Sequence, residues 1–241
     1  MTLSEILPLL PIIIIFSIIQ SILGVGLLLF GTPTLLLMNY SYTETLWVLL
    51  PCSVAISLTQ IINNYGLIES KKNAILFIVP AMVISLTIVI VFENSIDISK
   101  VVGFFLLYTG VIKFSKRAQH YLFNLMKKHF QLYYLLIGFI HGVSNMGGGP
   151  LSIFMSIVHS NKRQVQTNIA FIYLILASIQ LIVLFILDAD NVKYFSFVLV
   201  SITLLVYLGT SRFLTNKVND RKYMLMINTL ILIYGFLAII K

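Results

Sequence analysis

Six apolar stretches, each about as long as a membrane-spanning helix, make up much of this 241-residue chain. A helix needs about 20 mainly apolar residues to cross a bilayer. The six uninterrupted stretches are residues 45–68, 73–92, 96–112, 164–187, 194–211 and 223–240. They are too long for the strands of a membrane barrel, which have about ten residues of alternating polarity. The sequence therefore predicts an all-α polytopic membrane protein.

The scarcity of charged residues excludes most classes of soluble protein. Only 10% of the residues are charged and 59% are hydrophobic, whereas a soluble domain is typically about a quarter charged. A soluble enzyme and a nucleic-acid partner are therefore excluded despite the net charge of +8. The single cysteine, Cys52, excludes an internal disulfide framework and the common zinc clusters, and we expect no metal or other cofactor. Residues 1–5 lack a basic segment, so no cleaved signal peptide is expected.

Two further apolar stretches are interrupted by glycine and proline. The first is broken between Gly24 and Pro33, and the second between His141 and Pro150. Glycine adds backbone freedom and proline removes a backbone donor, so both favour a break in a helix. After Pro150 only 11 residues, 151–161, remain before the next basic loop, about 16 Å of helix against a membrane core of about 30 Å. The second stretch is therefore either one kinked span or a re-entrant hairpin.

The distribution of charge over the loops favours the hairpin. Short cytoplasmic loops carry an excess of Lys and Arg. Thirteen of the 16 basic residues form four clusters, and six of the eight acidic residues lie in the other loops. The basic clusters lie within residues 71–72, 113–128, 162–163 and 212–222. Because the clusters on both sides of the second break belong inside, the segment between them enters and leaves by the same face. The same rule places both chain termini outside.

The two halves of the chain carry opposite charge at corresponding loops. An alignment of Pro33 with Pro150, an offset of 117 residues, sets the basic loop 71–72 against the acidic loop 188–190. This pattern predicts two inverted repeats, each a re-entrant or broken-helix hairpin followed by three transmembrane helices, an architecture common in secondary transporters. The predicted organisation is a single membrane domain, 1–241, with repeat 1 at 1–112, a basic cytoplasmic linker at 113–128 and repeat 2 at 129–241.

A glycine-rich motif opens the second half of the chain. Residues 138–151 read GFIHGVSNMGGGPL, and Gln166–Thr167–Asn168 follow after a short basic loop. Together with the glycine–proline break in each half, this pattern resembles the TauE/SafE sulfite exporter family over essentially the full length. The first break departs from the family pattern because its glycines are sparser. The resemblance implies a multi-pass plasma-membrane permease whose partners are a small anion, sulfite or an organosulfonate, and the lipid bilayer. Exposed small-residue faces are also compatible with a homodimer.

The breaks offer a binding site for an anion near the middle of the membrane. The N-terminus of a half-helix carries partial positive charge and free N–H donors. Pro150 suits the first helical position, and a glycine backbone lets an anion approach closely. Thr32, before Pro33, is the expected N-cap of the equivalent half-helix. The residues expected to bind substrate are Thr32, Ser144, Asn145, Gly147, Gly148, Gly149, Thr167 and Asn168, of which Thr167 and Asn168 are implied by the family pattern.

His141 is the only histidine deep inside a predicted membrane segment, which makes it a candidate for proton coupling. Two alternatives remain open at this point. The glycines also suit close packing of helices, and a neutral His141 would also donate a hydrogen bond to a carbonyl of a neighbouring helix.

The function that these patterns favour is secondary transport of a small anion. A passive anion channel is an alternative, because the sequence does not show whether both sides open together. A membrane-embedded hydrolase that uses Ser144 as nucleophile and His141 as base ranks below both. ATP-driven transport by this chain alone has no support, because no P-loop motif is present.

Overall fold

A computed structural model describes residues 6–62, 64–69, 71–159, 161–214 and 220–240. Within these residues all regular structure is helical, with eleven α-helices, three short 3-10 helices and no β-strand. The α-helices are α1 (Leu9–Leu23), α2 (Leu27–Leu37), α3 (Tyr42–Ile62), α4 (Lys71–Val91), α5 (Ile98–Phe114), α6 (Lys116–Lys128), α7 (Phe130–Ser144), α8 (Gly148–Val158), α9 (Lys162–Leu187), α10 (Ser196–Leu214) and α11 (Asp220–Ile240). The 3-10 helices are Tyr65–Leu67, Glu93–Ser95 and Ala189–Asn191. The predicted all-helical class is confirmed.

Among the residues that the structure describes, two helices are long and apolar enough to cross a membrane by length and composition, Tyr42–Ile62 and Arg163–Leu187. A third candidate is the bent pair formed by Ile98–Phe114 and Arg117–Met126, whose axes meet at 101°. The other apolar helical segments found among these residues are 10–17 residues long. The predicted span 45–68 is divided, because α3 ends and a 3-10 turn follows it.

Large apolar side chains on the outside of the helix bundle are consistent with a lipid environment. They come from several helices, and each of the following is at least 60% exposed: Leu76, Ile84, Phe104, Ile186 and Leu205. Exposed apolar surface of this extent marks a membrane or an interaction face.

Residues 113–128, expected to be a basic linker, contain a helix of their own. The backbone of Ser115 is extended, which ends α5, and its hydroxyl accepts a hydrogen bond from the amide of Ala118 at 3.2 Å to cap α6. Leu122 and Met126 of α6 are buried, whereas Tyr121, Asn124 and Lys128 are exposed. The helix α6 is therefore amphipathic and is set at a steep angle to α5, as is typical of helices that lie along a membrane surface.

The helices α3 and α9 pack against each other in the centre of the protein. The indole Nε1 of Trp47, early in α3, donates to Oδ2 of Asp188, just after α9, at 2.9 Å. The amide Nδ2 of Asn168, early in α9, donates to the carbonyl of Leu67, just after α3, at 3.0 Å. Because the start of each helix bonds to the end of the other, the two helices run antiparallel. The helices α2 and α10 pack against α3, and α4 and α8 pack against α9.

Glycines allow the closest helix contacts. A Cβ at Gly138 or Gly142 of α7 would overlap the carbonyl oxygens of Ile78 and Met82, respectively, in α4. A Cβ at Gly103 of α5 would lie 3.0 Å from the Cβ of Ala238 in α11. These contacts are the close packing by small residues that is common between membrane helices. For Gly138 and Gly142 the structure therefore supports the packing interpretation of the glycine motif.

The first break is shorter than the sequence indicates, and its predicted N-cap is wrong. The helix α1 ends before Gly24, whose φ of 74° lies in the left-handed region that glycine tolerates. The helix α2 already begins at Leu27, with Gly26 as its N-cap, and continues through Thr32 and Pro33. Thr32 therefore does not cap α2. Two glycines before Leu27 are sufficient to turn the chain, so Pro33 is left inside a helix that loses one internal hydrogen bond.

The two prolines do not occupy equivalent positions. Pro33 is the seventh residue of α2, whereas Pro150 is the third residue of α8, not the first as predicted. The alignment on prolines, with its offset of 117, is therefore wrong for these helices. The helices α1 and α7 both have 15 residues, α2 and α8 both have 11, and each pair starts 121 positions apart.

Candidate functional site

The second break turns the chain back on itself. The helix α7 ends at Ser144, and Asn145 has a φ of 60°, in the left-handed region where asparagine is among the more frequent residues. The aromatic ring of Phe154 in α8 stacks 5.6 Å from that of Tyr133, in the first turn of α7. Residues 133–144 cover about 17 Å at about 1.5 Å per residue, so this contact requires α8 to run back along α7. The Tyr133 hydroxyl also donates to the carbonyl of Pro150 at 3.0 Å.

The start of α8 retains free backbone donors. Gly147 is the N-cap of this helix, and among the described residues the amides of Gly147 and Gly148 have no hydrogen-bond acceptor. The later amides of the turn are paired, since Gly149 donates to Met146 and Leu151 donates to Gly147. Free N–H groups at the start of a helix attract anions, because the helix dipole adds to their partial charge.

Four fully buried polar side chains lie at this helix start or bond to a residue that does, and each has an atom without a hydrogen-bond partner. The atoms are Nδ1 of His141, Oδ1 of Asn145, the hydroxyl oxygen of Tyr173 and Nε2 of Gln180, and all four residues are 0% exposed. Buried polar groups are nearly always paired, so a cluster of unpaired ones requires an explanation. A bound polar ligand would supply the missing partners.

Glycine contacts place two of these atoms against the backbone of the break. A Cβ at Gly147 would lie 3.0 Å from Nδ1 of His141. A Cβ at Gly148 would overlap the hydroxyl oxygen of Tyr173. The rings of His141 and Tyr173 lie 5.8 Å apart between their centroids. Both side chains therefore lie against the first residues of α8.

Gln180 sets the orientation of the His141 ring. Its Oε1 lies 3.1 Å from Nε2 of His141. Because an amide oxygen only accepts hydrogen bonds, Nε2 carries the proton of the neutral ring and Nδ1 is left as an acceptor. Tyr173 and Gln180 lie seven residues apart on α9, which puts them on the same face of that helix.

The structure brings Thr32 and Asn145 together although they come from different breaks. The amide Nδ2 of Asn145 donates to the hydroxyl of Thr32 at 3.0 Å, and both residues are 0% exposed. Ser144 donates to the carbonyl of Ile140 at 2.7 Å and accepts from the amide of Met146 at 3.3 Å. The hydroxyl of Ser144 therefore bonds to backbone groups and not to His141. A serine hydrolase would require a hydrogen bond between its nucleophilic serine and its histidine base.

Gly149, Thr167 and Asn168 are engaged elsewhere. A Cβ at Gly149 would lie 2.6 Å from Cγ2 of Thr109, so this glycine provides room for α5. The Thr167 hydroxyl donates to the carbonyl of Arg163 at 2.8 Å, and the Asn168 side chain bonds to the loop after α3 and to the backbone of α9. Among the described residues, neither Thr167 nor Asn168 has a hydrogen bond to the residues of the break.

The first break is arranged similarly, but its helix start is occupied. The side-chain Oε1 of Gln20 accepts a hydrogen bond from the amide of Leu27, the first residue of α2, at 2.8 Å. A Cβ at Gly26 would lie 2.9 Å from the backbone nitrogen of Gln20. Gln20 and His141 thus occupy equivalent positions. Each lies six residues before the glycine N-cap and seven residues before the first residue of the second half-helix. The difference is that Gln20 caps its helix and His141 does not.

The sequence analysis did not identify Gln20, Tyr173 or Gln180 as site residues. The spacing of seven between Tyr173 and Gln180 was the available signal. A glutamine six residues before Gly26 gives no comparable signal, because its role depends on the chain turning back at that point.

Comparison with known proteins identifies one family. The family described as Sulfite exporter TauE/SafE matches residues 9–238 of the chain. No curated protein and no solved structure matches it.

Proposed function

The chain belongs to the sulfite exporter TauE/SafE family, and we propose that it is a secondary transporter that moves a small sulfur anion, sulfite or an organosulfonate, across the cytoplasmic membrane. The observation that carries this proposal is the uncapped start of α8, against which the buried side chains of His141 and Tyr173 lie, each with an unpaired polar atom. In the proposed bound state the anion accepts hydrogen bonds from the amides of Gly147 and Gly148.

Neutral groups bind the anion in this proposal. The Tyr173 hydroxyl, which lies against Gly148, is an unpaired side-chain donor at the break, and it joins the backbone amides. Such preorganised donors stabilise a charge without a buried Lys or Arg, whose desolvation would be costly. A site without fixed positive charge also releases its anion more readily, which a transporter requires.

The proposed architecture consists of two inverted repeats, residues 1–112 and 129–241, in one membrane domain. Three features support it. The paired helices have equal lengths and start 121 positions apart. The central helices α3 and α9 are antiparallel. The bonds at their two ends also correspond, because a shift of 121 takes Trp47 to Asn168 and position 67 to position 188. With the basic clusters inside, both termini lie outside the plasma membrane.

The two ends of the α3–α9 pair are the proposed gates. One end is held by a salt bridge between Lys193 and Glu44 at 3.1 Å and by the hydrogen bond from Trp47 to Asp188. At the other end, Gln164 donates to Glu69 at 3.0 Å and Asn168 bonds to the same loop. The site itself is fully buried, so transport requires one end to open while the other stays closed, as in alternating access.

The test is flux of labelled anions in proteoliposomes. Proteoliposomes that contain the purified protein should take up labelled sulfite. Uptake of sulfate and of an amino-sulfonate is measured for comparison, and each anion is tested with and without an imposed pH gradient. Asn145→Ala should reduce sulfite flux, whereas Asn124→Ala, which changes an exposed asparagine of α6, should not. Vesicles that take up no sulfur anion, with the protein folded and inserted, would contradict the proposed function.

A further inference from the structure

The unpaired atoms at the second break are not all donors. Nδ1 of His141 is an acceptor because Gln180 fixes the proton on Nε2. Oδ1 of Asn145 is a second unpaired acceptor, since its Nδ2 is already bonded to Thr32. The unpaired donors are the hydroxyl of Tyr173 and Nε2 of Gln180. A ligand that pairs with the donors must accept hydrogen bonds, and one that also pairs with Nδ1 of His141 must donate one.

Resting on the proposed function, we propose that the bound species is an oxyanion that keeps one ionisable O–H group, which for sulfite is hydrogen sulfite. Its hydroxyl donates to Nδ1 of His141, and its other oxygens accept from the amides of Gly147 and Gly148. Tyr173 is a further binding residue, whose hydroxyl donates to one of these oxygens from its position against Gly148.

This arrangement selects against anions without a proton. Sulfate and simple alkylsulfonates near neutral pH present only acceptor oxygens, which would leave the Nδ1 lone pair of His141 buried and facing another lone pair. A site built to bond a ligand hydroxyl rejects analogues that lack it, because its own polar groups are left unpaired. The same logic favours hydrogen sulfite over doubly charged sulfite, which would also bring a larger charge into an uncharged site.

The surroundings of His141 contain few other groups that titrate. Tyr173 from α9 lies beside its ring, and Tyr42 from α3 donates to the carbonyl of Gly142, the next residue of α7, at 3.2 Å. The other helices packed around the break present hydroxyls, namely Thr32 of α2, Ser85 of α4 and Thr109 of α5. Among the described residues, no Asp, Glu, Lys or Arg side chain forms a hydrogen bond or ion pair with this cluster. In the proposed complex the ligand brings the proton that is shared with Nδ1 of His141.

The decisive experiment compares sulfite with selenite. Both are pyramidal oxyanions, but selenite keeps its proton to a higher pH. Binding to the purified wild-type protein is measured by thermal stabilisation and calorimetry from mildly acid to mildly alkaline pH, with methanesulfonate as a monoanion that has no O–H. We expect the affinity for each oxyanion to fall as that anion loses its proton, so that the selenite curve lies at higher pH. Methanesulfonate should bind on the order of tenfold or more weakly and without pH dependence.

Other outcomes overturn the inference in distinguishable ways. Sulfite and selenite curves that fall at the same pH would assign the proton to the protein. Methanesulfonate binding as tightly as sulfite would refute the need for an O–H group but leave the proposed transport of sulfur anions standing. No response to any of the three anions would contradict the proposed function as well.

Tyr173→Phe tests the second part of the proposal. It removes only the hydroxyl, so hydrogen sulfite binding should weaken by roughly tenfold or more. The control is Tyr234→Phe, which removes a hydroxyl that accepts from Thr34 of the first hairpin at 3.0 Å and should leave binding unchanged. Equal binding by Tyr173→Phe and the wild type would exclude Tyr173 from the site. The size-exclusion profile of each variant monitors its fold.

Discussion

The two breaks of this protein have the same backbone plan but differ in what meets the second half-helix. In both, a 15-residue helix ends at a left-handed residue and an 11-residue helix starts after a glycine N-cap. In the first break, Gln20 of the preceding helix caps the amide of Leu27. In the second break, His141 points a nitrogen without a partner toward the glycines, and the amides of Gly147 and Gly148 stay free.

A broken helix is therefore not by itself a binding site. A half-helix start attracts an anion only if the protein leaves its donors free. A flexible glutamine supplies its own acceptor and closes one start. A histidine held by Gln180 does not reach the amides and leaves the other start open. One break is therefore expected to stabilise the fold and the other to bind substrate.

The largest expected effect comes from making the second break like the first. His141→Gln would place a glutamine in the position relative to Gly148 that Gln20 has relative to Leu27. Its Oε1 should cap the free amide and occupy the anion's place, so sulfite flux should fall on the order of a hundredfold or more, with thermal stability retained or raised. Flux in proteoliposomes and the unfolding temperature are the measurements. Wild-type flux in this variant would show that the start of α8 is not the binding site.

The next effect concerns the room that Gly148 provides. Gly148→Ala should destabilise the protein by about 1–3 kcal/mol, because the new Cβ overlaps the Tyr173 hydroxyl and the core must shift. Adding Tyr173→Phe should recover part of this loss, since the hydroxyl oxygen is removed but the ring Cζ stays 2.7 Å from the new Cβ. Thermal unfolding of both single variants and the double variant forms a double-mutant cycle. Strictly additive effects would mean that Gly148 and Tyr173 do not oppose each other.

Gln20→Leu tests the structural role of the first break. It leaves the amide of Leu27 buried without an acceptor, which should lower the free energy of unfolding by about 1–3 kcal/mol. Sulfite binding by the folded fraction should be unchanged, because the second break is untouched. Unfolding curves and calorimetry check the two parts. A variant of normal stability that has lost sulfite binding would move the site to the first break.

The smallest effect is expected within the second break itself. Ser144→Ala removes a hydroxyl that bonds only to the backbone of Ile140 and Met146, and Leu23 stands at the position of α1 that corresponds to it. Stability should fall by about 0.5–1.5 kcal/mol, and sulfite flux should stay close to that of the unmodified protein. Complete loss of flux with normal stability would give Ser144 a direct role in substrate binding or catalysis.

Much of the fold is predictable from the sequence, because the length of an apolar stretch indicates a membrane helix. The break at residues 145–147 follows from three glycines and a proline, and charge alone favours the hairpin, which agrees with the contact of Phe154 with Tyr133. The position of the first break is less accessible. Pro33 suggests a helix start, but the two glycines at 24 and 26 turn the chain earlier, and tertiary packing accommodates the proline inside α2.

The site is predictable only in part. Local sequence indicates His141, Asn145 and the glycines, because they lie beside the break. It does not indicate Tyr173, which reaches Gly148 from another helix, or Gln20, whose capping role depends on α2 turning back. Nor does it separate glycines by role, since Gly142 makes room for α4 and Gly147 lies against His141. These distinctions depend on packing between distant segments.

The most direct test of the account is the location of a bound anion. Selenite is suitable because selenium gives an anomalous diffraction signal, and crystals of protein with ordinary methionine, soaked in selenite, would show where it binds. We predict one ordered selenium peak beside Gly147, Gly148 and the Tyr173 hydroxyl, and none at the start of α2 beside Gln20. A peak at Gly26 and Leu27, with the second break empty, would contradict the central claim.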